Sequence, residues 1–184
     1  MFDAIHFGAE CETALAEGGR DAVRRVLVSA ISNPAKIIAA LGAPRRAGDK
    51  VLHRSQTLTI LHIVWPPSFT TEPHNHGLWA EIGVYAGRED NIFWRRSGPG
   101  GRLPIEPIGA ASLCAGHSHA LEPDVIHSVT NPLDTVTAGL HIYGGDLTTG
   151  GSRRIWEGAA LVEGPLNYLR DDRIIETYNA SLVD

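Results

Sequence analysis

The chain has 184 residues, of which 43% are hydrophobic and 20% are charged, and this length and composition predict one globular domain rather than a disordered segment. Its formal net charge of −5 at pH 7 gives no electrostatic reason to bind nucleic acid or an anionic membrane. Cys11 and Cys114 are too few and too far apart to form a disulfide framework, and because the sequence shows neither a signal-peptide pattern nor an apolar run of membrane-spanning length, we expect a cytoplasmic protein.

The N-terminal part of the chain is predicted to be helical. In Asp21–Val28 the apolar side chains recur at helical spacing. Asn33 precedes Pro34, an order typical of a helix N-cap followed by proline at the first helical position. The helix that starts there is predicted to run through Lys36–Leu41 and to end near Gly42.

From about residue 50 the pattern changes to short apolar runs separated by turn-forming residues. The runs predicted to be strands are Leu58–Trp65, Trp79–Tyr85, Asn91–Arg95, Ile105–Ile108, His117–Leu121 and Val136–Tyr143. Short strands at close spacing predict an all-β sandwich or a small barrel. We expect one domain over residues 1–184, with a helical segment at 1–48, a β-barrel at 49–150 and a C-terminal extension at 151–184. The tail from about residue 166 is predicted to be loop and helix.

Histidines carry the clearest chemical signal. His74 and His76 form a His-x-His pair, and side chains two residues apart on a strand face the same side, so both imidazoles can point at one metal ion. His127 would complete three ligands and leave open positions, which is typical of a catalytic rather than a structural site. His117 and His119 form a rival pair, for which we favour an ordinary strand with satisfied polar groups.

The order and spacing of these residues resemble the two sequence motifs of the cupins. The residues that match the motifs are His74, His76, Glu81, Gly87, His127 and Asn131. The resemblance covers about residues 50–145. It implies a mainly β fold, a double-stranded β-helix (cupin) barrel with N-terminal helices. Such barrels often pair through their edges, so a homodimer is a further expectation.

Two stretches are similar to the cysteine dioxygenase-type branch of the cupins, which includes bacterial thiol dioxygenases. They are HNHGLWAEIGVYAGREDNIFWRR at 74–96 and AGLHIYGGDL at 138–147. In that branch a Ser-x-His-x-Tyr run lines the active site, and here His141 and Tyr143 match while Gly139 replaces the serine. The two-residue period of a strand also puts these three residues on one face. The resemblance implies that Tyr143 is catalytic and that His141 supports it.

Three further residues are assigned to the site by the same resemblance. Arg54 is the candidate for binding a substrate carboxylate, a task that suits a guanidinium fork. Trp79 is expected either to line the substrate pocket or to pack in the barrel. Glu81 stands where cysteine dioxygenases carry a cysteine that cross-links to the tyrosine. We expect Glu81 to be a fourth metal ligand, a partner of a ligand, or a general base.

The function that the resemblance implies is a mononuclear non-heme Fe(II) dioxygenase. Its partners would be O2 and a small carboxylate that contains a thiol or a related chelating group, and a thiol would become a sulfinic acid. Nickel, zinc and manganese are alternative metals. Two other classes stay open, a non-redox metal-dependent cupin enzyme and a cupin that binds a small ligand without turnover. A ligating Glu81 would favour the general cupin chemistries, and a non-ligating one the thiol branch.

Overall fold

The computed structural model describes residues 2–97, 105–149, 153–157, 162–165 and 172–182. The helices are α1 (Ala4–Ile31), α2 (Pro34–Leu41) and α3 (Asp172–Ser181). The strands are β1 (Gly48–Arg54), β2 (Thr59–Trp65), β3 (Ala80–Ala86), β4 (Arg88–Arg96), β5 (Ile105–Cys114), β6 (Ser118–Leu121), β7 (Ile126–Thr130), β8 (Thr137–Tyr143), β9 (Arg154–Glu157) and β10 (Val162–Pro165). Within the described residues, no helix has both the length and the apolar character needed to cross a bilayer.

Helix α1 consists of two helical halves that meet at Gly19. The Asp3 carboxylate caps its start by accepting a hydrogen bond of 2.7 Å from the backbone N–H of His6. Gly19 has φ 65° and ψ −161°, a conformation that glycine adopts without the steric penalty of a side chain. The second half packs closely on the sheet, since a Cβ on Gly83 would lie 2.9 Å from Leu27 Cδ1. The kink therefore lets α1 cover β3.

The bounds of α2 agree with the prediction. Pro34 stands at the first turn and Gly42, with φ 87°, ends the helix. Asn33 occupies the N-cap position, but its side chain makes no capping hydrogen bond. The helix predicted in the tail is α3, while residues 166–171, which precede it, lie outside the described residues.

Two antiparallel sheets form the body of the fold. One has the strand order β1-β2-β8-β3-β6 and the other has β5-β4-β7. The segment before β3 joins the second sheet through an isolated bridge between His74 and His127. The chain therefore passes repeatedly between the sheets, with β2, β3, β6 and β8 in the first and the His74 segment, β4, β5 and β7 in the second. This arrangement is the predicted double-stranded β-helix.

Each of the six predicted strands is present, and β5 extends beyond its predicted end to Cys114. The apolar runs in the sequence do not mark β1, β7, β9 or β10. Strand β7 matters most for function because it contains His127.

Apolar side chains form two layers on either side of the five-stranded sheet. The outer layer packs the helices on the sheet and includes Leu27, Ile31 and Tyr85. The inner layer fills the space between the two sheets and includes Ile82 and Val84. Alternate residues of β3 thus point either towards α1 or into the barrel, and this alternation decides which polar residues can reach the interior.

A carboxylate ties the first half of α1 to β1. Glu12 accepts hydrogen bonds from His53 Nε2 at 2.8 Å, from Thr57 Oγ1 at 2.6 Å and from the Ser55 hydroxyl. Partial burial acts to raise the pKa of Glu12, but the hydrogen bonds outweigh it and hold the pKa below its ordinary value.

We expect the contribution of Glu12 to stability to depend on pH. Because its pKa is depressed in the folded state, the stabilisation is present above the ordinary carboxyl pKa of about 4.3 and is lost as pH falls through the folded-state pKa. The difference in Tm between the wild type and Glu12→Gln should therefore be present above this ordinary pKa and shrink as the pH falls below it. Glu10→Gln, at an exposed position of the same helix, is the matched control. A gap that widens towards low pH would contradict the assignment.

Candidate metal centre

Three histidines converge between the two sheets. His74, His76 and His127 are each at most 4% exposed, and their candidate ligand atoms all lie within 4.8 Å of one another. The Nε2 atoms of His76 and His127 are 2.8 Å apart. Two nitrogens bound at right angles to one ion, each at about 2.1 Å, stand about 3 Å apart. This separation therefore fits two ligands of the same ion.

Backbone pairing brings the two parts of the cluster together. The N–H of His74 donates to the carbonyl of His127 at 2.8 Å, and the N–H of His127 donates to the carbonyl of His74 at 2.9 Å. On the other side, Asn75 exchanges hydrogen bonds with the backbone of Arg154. The His-x-His segment is thus an extended connection with isolated bridges, rather than part of a regular strand as the sequence analysis predicts, but its two imidazoles still converge.

Burial keeps the three imidazoles neutral. It lowers the pKa of His74 to about 4 and moves the pKa of His76 and of His127 well below the ordinary value. His74 Nδ1 lies 2.9 Å from the carbonyl of Glu72, to which only an N–H can donate. In this tautomer His74 Nε2 keeps its lone pair. Neutral nitrogen donors with free lone pairs are what a transition metal ion requires, so these residues fit a mononuclear metal.

The inner face of β8 borders the cluster. His141 and Tyr143 are both about 2% exposed, and the Tyr143 ring centroid lies 5.0 Å from that of His76. Gly139 lies on the same face, where a Cβ would stand 3.2 Å from His141 Nε2. Leu140 and Ile142 pack in the outer layer. The predicted two-residue alternation of this strand is therefore confirmed.

Glu81 does not join the cluster, which corrects the prediction that it ligates the metal or acts on the substrate. It is 1% exposed and lies on the outer face of β3, where it accepts a hydrogen bond of 2.7 Å from Arg20 Nε of α1. Burial raises the pKa of Glu81 despite this hydrogen bond. The physical reason is strand parity, because its neighbours Ala80 and Ile82 point into the barrel instead.

Arg54 is also placed differently from the prediction. Its guanidinium forms a bidentate pair with Asp146, at 3.0 Å and 2.9 Å, and contacts Thr148. This pair holds the pKa of Asp146 well below its usual range. Arg54 is exposed, and its fork is occupied by a carboxylate of the protein itself, a placement that does not support the predicted substrate-binding role.

Trp79 packs rather than lining the cluster. It contacts the outer apolar layer, the Arg20 guanidinium lies 5.3 Å from its ring centroid, and a Cβ on Gly144 would lie 2.0 Å from the indole. Of the two roles that the sequence leaves open for Trp79, lining the pocket or packing, the structure shows packing.

The remaining histidines of interest lie outside the cluster. His119 stacks on Phe93 with ring centroids 5.3 Å apart, and His117 is exposed. His62 makes a buried hydrogen bond of 2.7 Å with the Tyr85 hydroxyl on the outer side of the sheet. None of the three belongs to the metal-ligating group found among the described residues.

Three residues near the cluster are missed by the sequence analysis. Glu89 and Asn91, on β4, are at most 1% exposed, and Asn91 Oδ1 lies 2.7 Å from His127 Nδ1. Arg153 is half-buried. Burial is the main cause that lowers the pKa of His74 and of His76, and the positive charge of Arg153 makes the smallest contribution. The two-residue spacing of Glu89 and Asn91 in a strand indicates that both side chains lie on the same face. This signal is missed because the predicted strand begins only at Asn91 and leaves out Glu89.

Comparisons with known proteins find solved structures of distant sequence. A cupin family protein from Methanocaldococcus jannaschii, described as RmlC-like with a double-stranded β-helix fold, is 13% identical with a TM-score of 0.44, over 57% of this chain and 84% of that one. A cupin domain from Bordetella pertussis is 20% identical with a TM-score of 0.41, over 55% and 96%. A DMSP lyase from Ruegeria pomeroyi is 19% identical with a TM-score of 0.41, over 57% of this chain and 50% of its own. No protein-family model matches the chain.

Proposed function

We propose that the chain is a cupin-type mononuclear non-heme Fe(II) dioxygenase that oxidises a small thiol-containing carboxylate with O2. One observation carries the proposal. Three neutral imidazoles meet beside Tyr143, and within the described residues no carboxylate belongs to the ligand group. Because Glu81 faces α1, the donor set is three histidines, the set that the sequence resemblance associates with the thiol branch.

His74, His76 and His127 would hold the iron, which supplies a redox-active Lewis acid that favours the thiolate form of a thiol. The net reaction joins one thiol and one O2 to give one sulfinic acid. Both oxygen atoms end on sulfur, the electrons that sulfur loses reduce O2, and the thiol proton ends on the product.

The surrounding residues would shape the substrate site. Tyr143 offers a phenolic O–H that can donate a hydrogen bond to substrate beside His76, and His141 lies next to Tyr143 with ring centroids 6.5 Å apart. Both side chains are buried between the sheets, where low exposure to water strengthens polar interactions.

A substrate carboxylate would be bound by Arg153. Arg153 is half-buried, and its charge is the smallest of the contributions that act on the pKa of His74 and of His76, whereas Arg54 is already paired with Asp146. We expect Arg153→Met to raise KM for a thiol carboxylate at least tenfold, because a charged hydrogen bond contributes about 1.5–3 kcal/mol. Metal content should stay unchanged. Arg54→Met, at an exposed position, is the matched control and should leave KM within about twofold; the opposite pattern would restore Arg54 as the substrate-binding residue.

Tyr143→Phe removes one hydroxyl and keeps the ring that packs beside His76. We expect kcat to fall by up to about tenfold, since a neutral hydrogen bond contributes about 0.5–1.5 kcal/mol. Iron content, measured by elemental analysis, should stay at one equivalent. Loss of iron in this variant would show that Tyr143 supports the metal site rather than the substrate.

The test of the proposed function is oxygen uptake by Fe(II)-loaded protein over a panel of small thiol carboxylates, aminothiols and diketones. Uptake that requires both iron and one class of thiol, with a sulfinic acid as product, would support the proposal. Uptake with a diketone would keep the dioxygenase and change its substrate. Iron bound at one equivalent with no uptake across the panel would overturn it in favour of a non-redox enzyme or a ligand-binding protein.

A further inference from the structure

A buried carboxylate inside the barrel has no part in the function proposed above. Glu89 is 0% exposed and lies on β4. Its Oε2 accepts a hydrogen bond of 2.8 Å from Trp65 Nε1 and lies 3.5 Å from His141 Nε2. Its Oε1 accepts a hydrogen bond of 3.1 Å from Asn91 Nδ2. Burying a carboxylate is costly unless it is hydrogen-bonded, so these contacts hold a charged group in the interior of the fold.

The same carboxylate decides how the Asn91 amide is turned. An ionised carboxylate can only accept hydrogen bonds, so Asn91 must present its NH2 group to Glu89. The amide oxygen of Asn91 then faces His127, with Oδ1 2.7 Å from Nδ1. Because an amide oxygen can only accept, His127 Nδ1 must carry the hydrogen. A neutral imidazole has one N–H, so the lone pair of His127 is on Nε2, the atom that lies 2.8 Å from His76 Nε2.

We propose that Glu89 is a positioning residue of the metal centre: through Asn91 it sets the tautomer of His127 and leaves Nε2 free to bind the ion. The proposal depends on the three-histidine site and not on the reaction carried out there.

The charge state of Glu89 agrees with this role. Burial acts to raise its pKa, but His141 and the hydrogen bonds from Asn91 and Trp65 outweigh burial and bring the pKa below its ordinary value. Glu89 is therefore ionised at neutral pH.

His74 provides an internal comparison. Its Nδ1 faces the backbone carbonyl of Glu72 at 2.9 Å, an acceptor that cannot exchange its role for that of a donor. The partner of His127 is a side-chain amide, which could present either its oxygen or its NH2 group if nothing fixed it. Glu89 fixes the Asn91 oxygen as the acceptor for His127 Nδ1, as the backbone carbonyl is the fixed acceptor for His74 Nδ1. Removal of partners of this kind commonly lowers metal affinity 10–100-fold.

The direct test reads the tautomer in metal-free protein by 15N NMR of the imidazole nitrogens, with His127 assigned from the signals lost in His127→Ala. In the wild type we expect hydrogen on Nδ1 alone. In Glu89→Gln the new amide can either donate or accept, so Asn91 is no longer constrained and His127 should show a mixture of tautomers. Zinc affinity, measured by competition with a chelator, should fall about tenfold or more.

Two further variants separate this role from a general loss of packing. Glu81→Gln changes another buried carboxylate, which lies on β3 and faces α1. This variant should leave zinc affinity unchanged. Asn91→Leu should weaken zinc binding, and in that background Glu89→Gln should have no further effect, because Glu89 acts through Asn91.

Hydrogen on Nε2 of His127 in the wild type would overturn the proposal, and this result does not depend on whether Glu89→Gln folds. An unchanged tautomer together with unchanged zinc affinity in folded Glu89→Gln would overturn it as well. Zinc binding and the tautomer are measured without oxygen, so the outcome is independent of whether the chain is a dioxygenase.

Discussion

Replacing His76 by alanine is expected to abolish stoichiometric metal binding. His76 is one of three buried imidazoles that meet in the barrel, and its Nε2 stands 2.8 Å from that of His127. Its loss leaves two ligands where an open catalytic site needs three from the protein. We expect affinity to fall more than 100-fold, beyond the roughly 10–100-fold typical of residues that only support a ligand.

Two measurements check this result. Elemental analysis should find about one metal per chain in the wild type and none in His76→Ala. Excess zinc at about 100 times Kd should stabilise the wild type by about 2.7 kcal/mol and leave the variant unaffected. The control is His119→Ala in the rival His-x-His pair, because His119 stacks on Phe93 and is not in the ligand group. If His119→Ala lost the metal and His76→Ala kept it, the site would have been assigned to the wrong pair.

Replacing Arg20 by methionine is expected to have the largest effect on stability. Arg20 donates to Glu81 at 2.7 Å, to Glu122 at 2.6 Å and to the carbonyls of Ala80 and Leu121 at 3.0 Å each. The side chain of Glu81 is 2% exposed, against 21% for Arg20. Removing the guanidinium would leave a buried carboxylate without its partner, which costs about 3 kcal/mol.

A double-mutant cycle with Glu81→Gln distinguishes this cause from lost packing. If the cost comes from the unpaired charge, Arg20→Met should destabilise less in the Glu81→Gln background, with an interaction free energy of about 1–3 kcal/mol in chemical denaturation. Arg24→Met is the matched control, because Arg24 lies 3.9 Å from Glu81 with its side chain 47% exposed, and its loss should change the free energy of unfolding by less than about 0.5 kcal/mol. Additive losses in the cycle would contradict the assignment.

The meeting of the three histidines could be predicted because their spacing along the chain indicates it. His74 and His76 are two residues apart in an extended segment, and this alone brings their rings together. The second motif adds His127 and Asn131. In the structure Asn131 stabilises a turn, because its amide donates to the carbonyls of Pro66 and Thr135 at 2.9 Å and 2.8 Å.

The face of β3 on which Glu81 lies could not be predicted, because it depends on the register of the strand relative to His76. A change of one residue in the connection between His76 and β3 moves every β3 side chain to the opposite face. That connection contains Gly77 with φ 65°, a local turn that the motif spacing does not define. The partner of Glu81 is Arg20, which lies 61 residues away in the sequence. No local sequence pattern indicates such a pair.

The short length of β7 explains why the sequence does not predict it. It has five residues and follows directly after a turn, so its alternation covers too few positions to be recognised. Arg54 illustrates a different limit, because its position on a strand could be predicted while its pairing with Asp146, 92 residues away, could not.

The passage of the chain between the two sheets has a consequence for how the protein folds. Strand β2 pairs with β8, and His74 pairs with His127, so several pairing partners are distant along the chain. Closing such loops costs conformational entropy before any contact compensates for it, and topologies rich in non-local pairs fold slowly. The imidazoles of the His74 segment and of β7 meet only once this closure is complete. A bound ion should therefore slow unfolding much more than it accelerates folding. The residence time of the ion would then set the lifetime of the closed barrel.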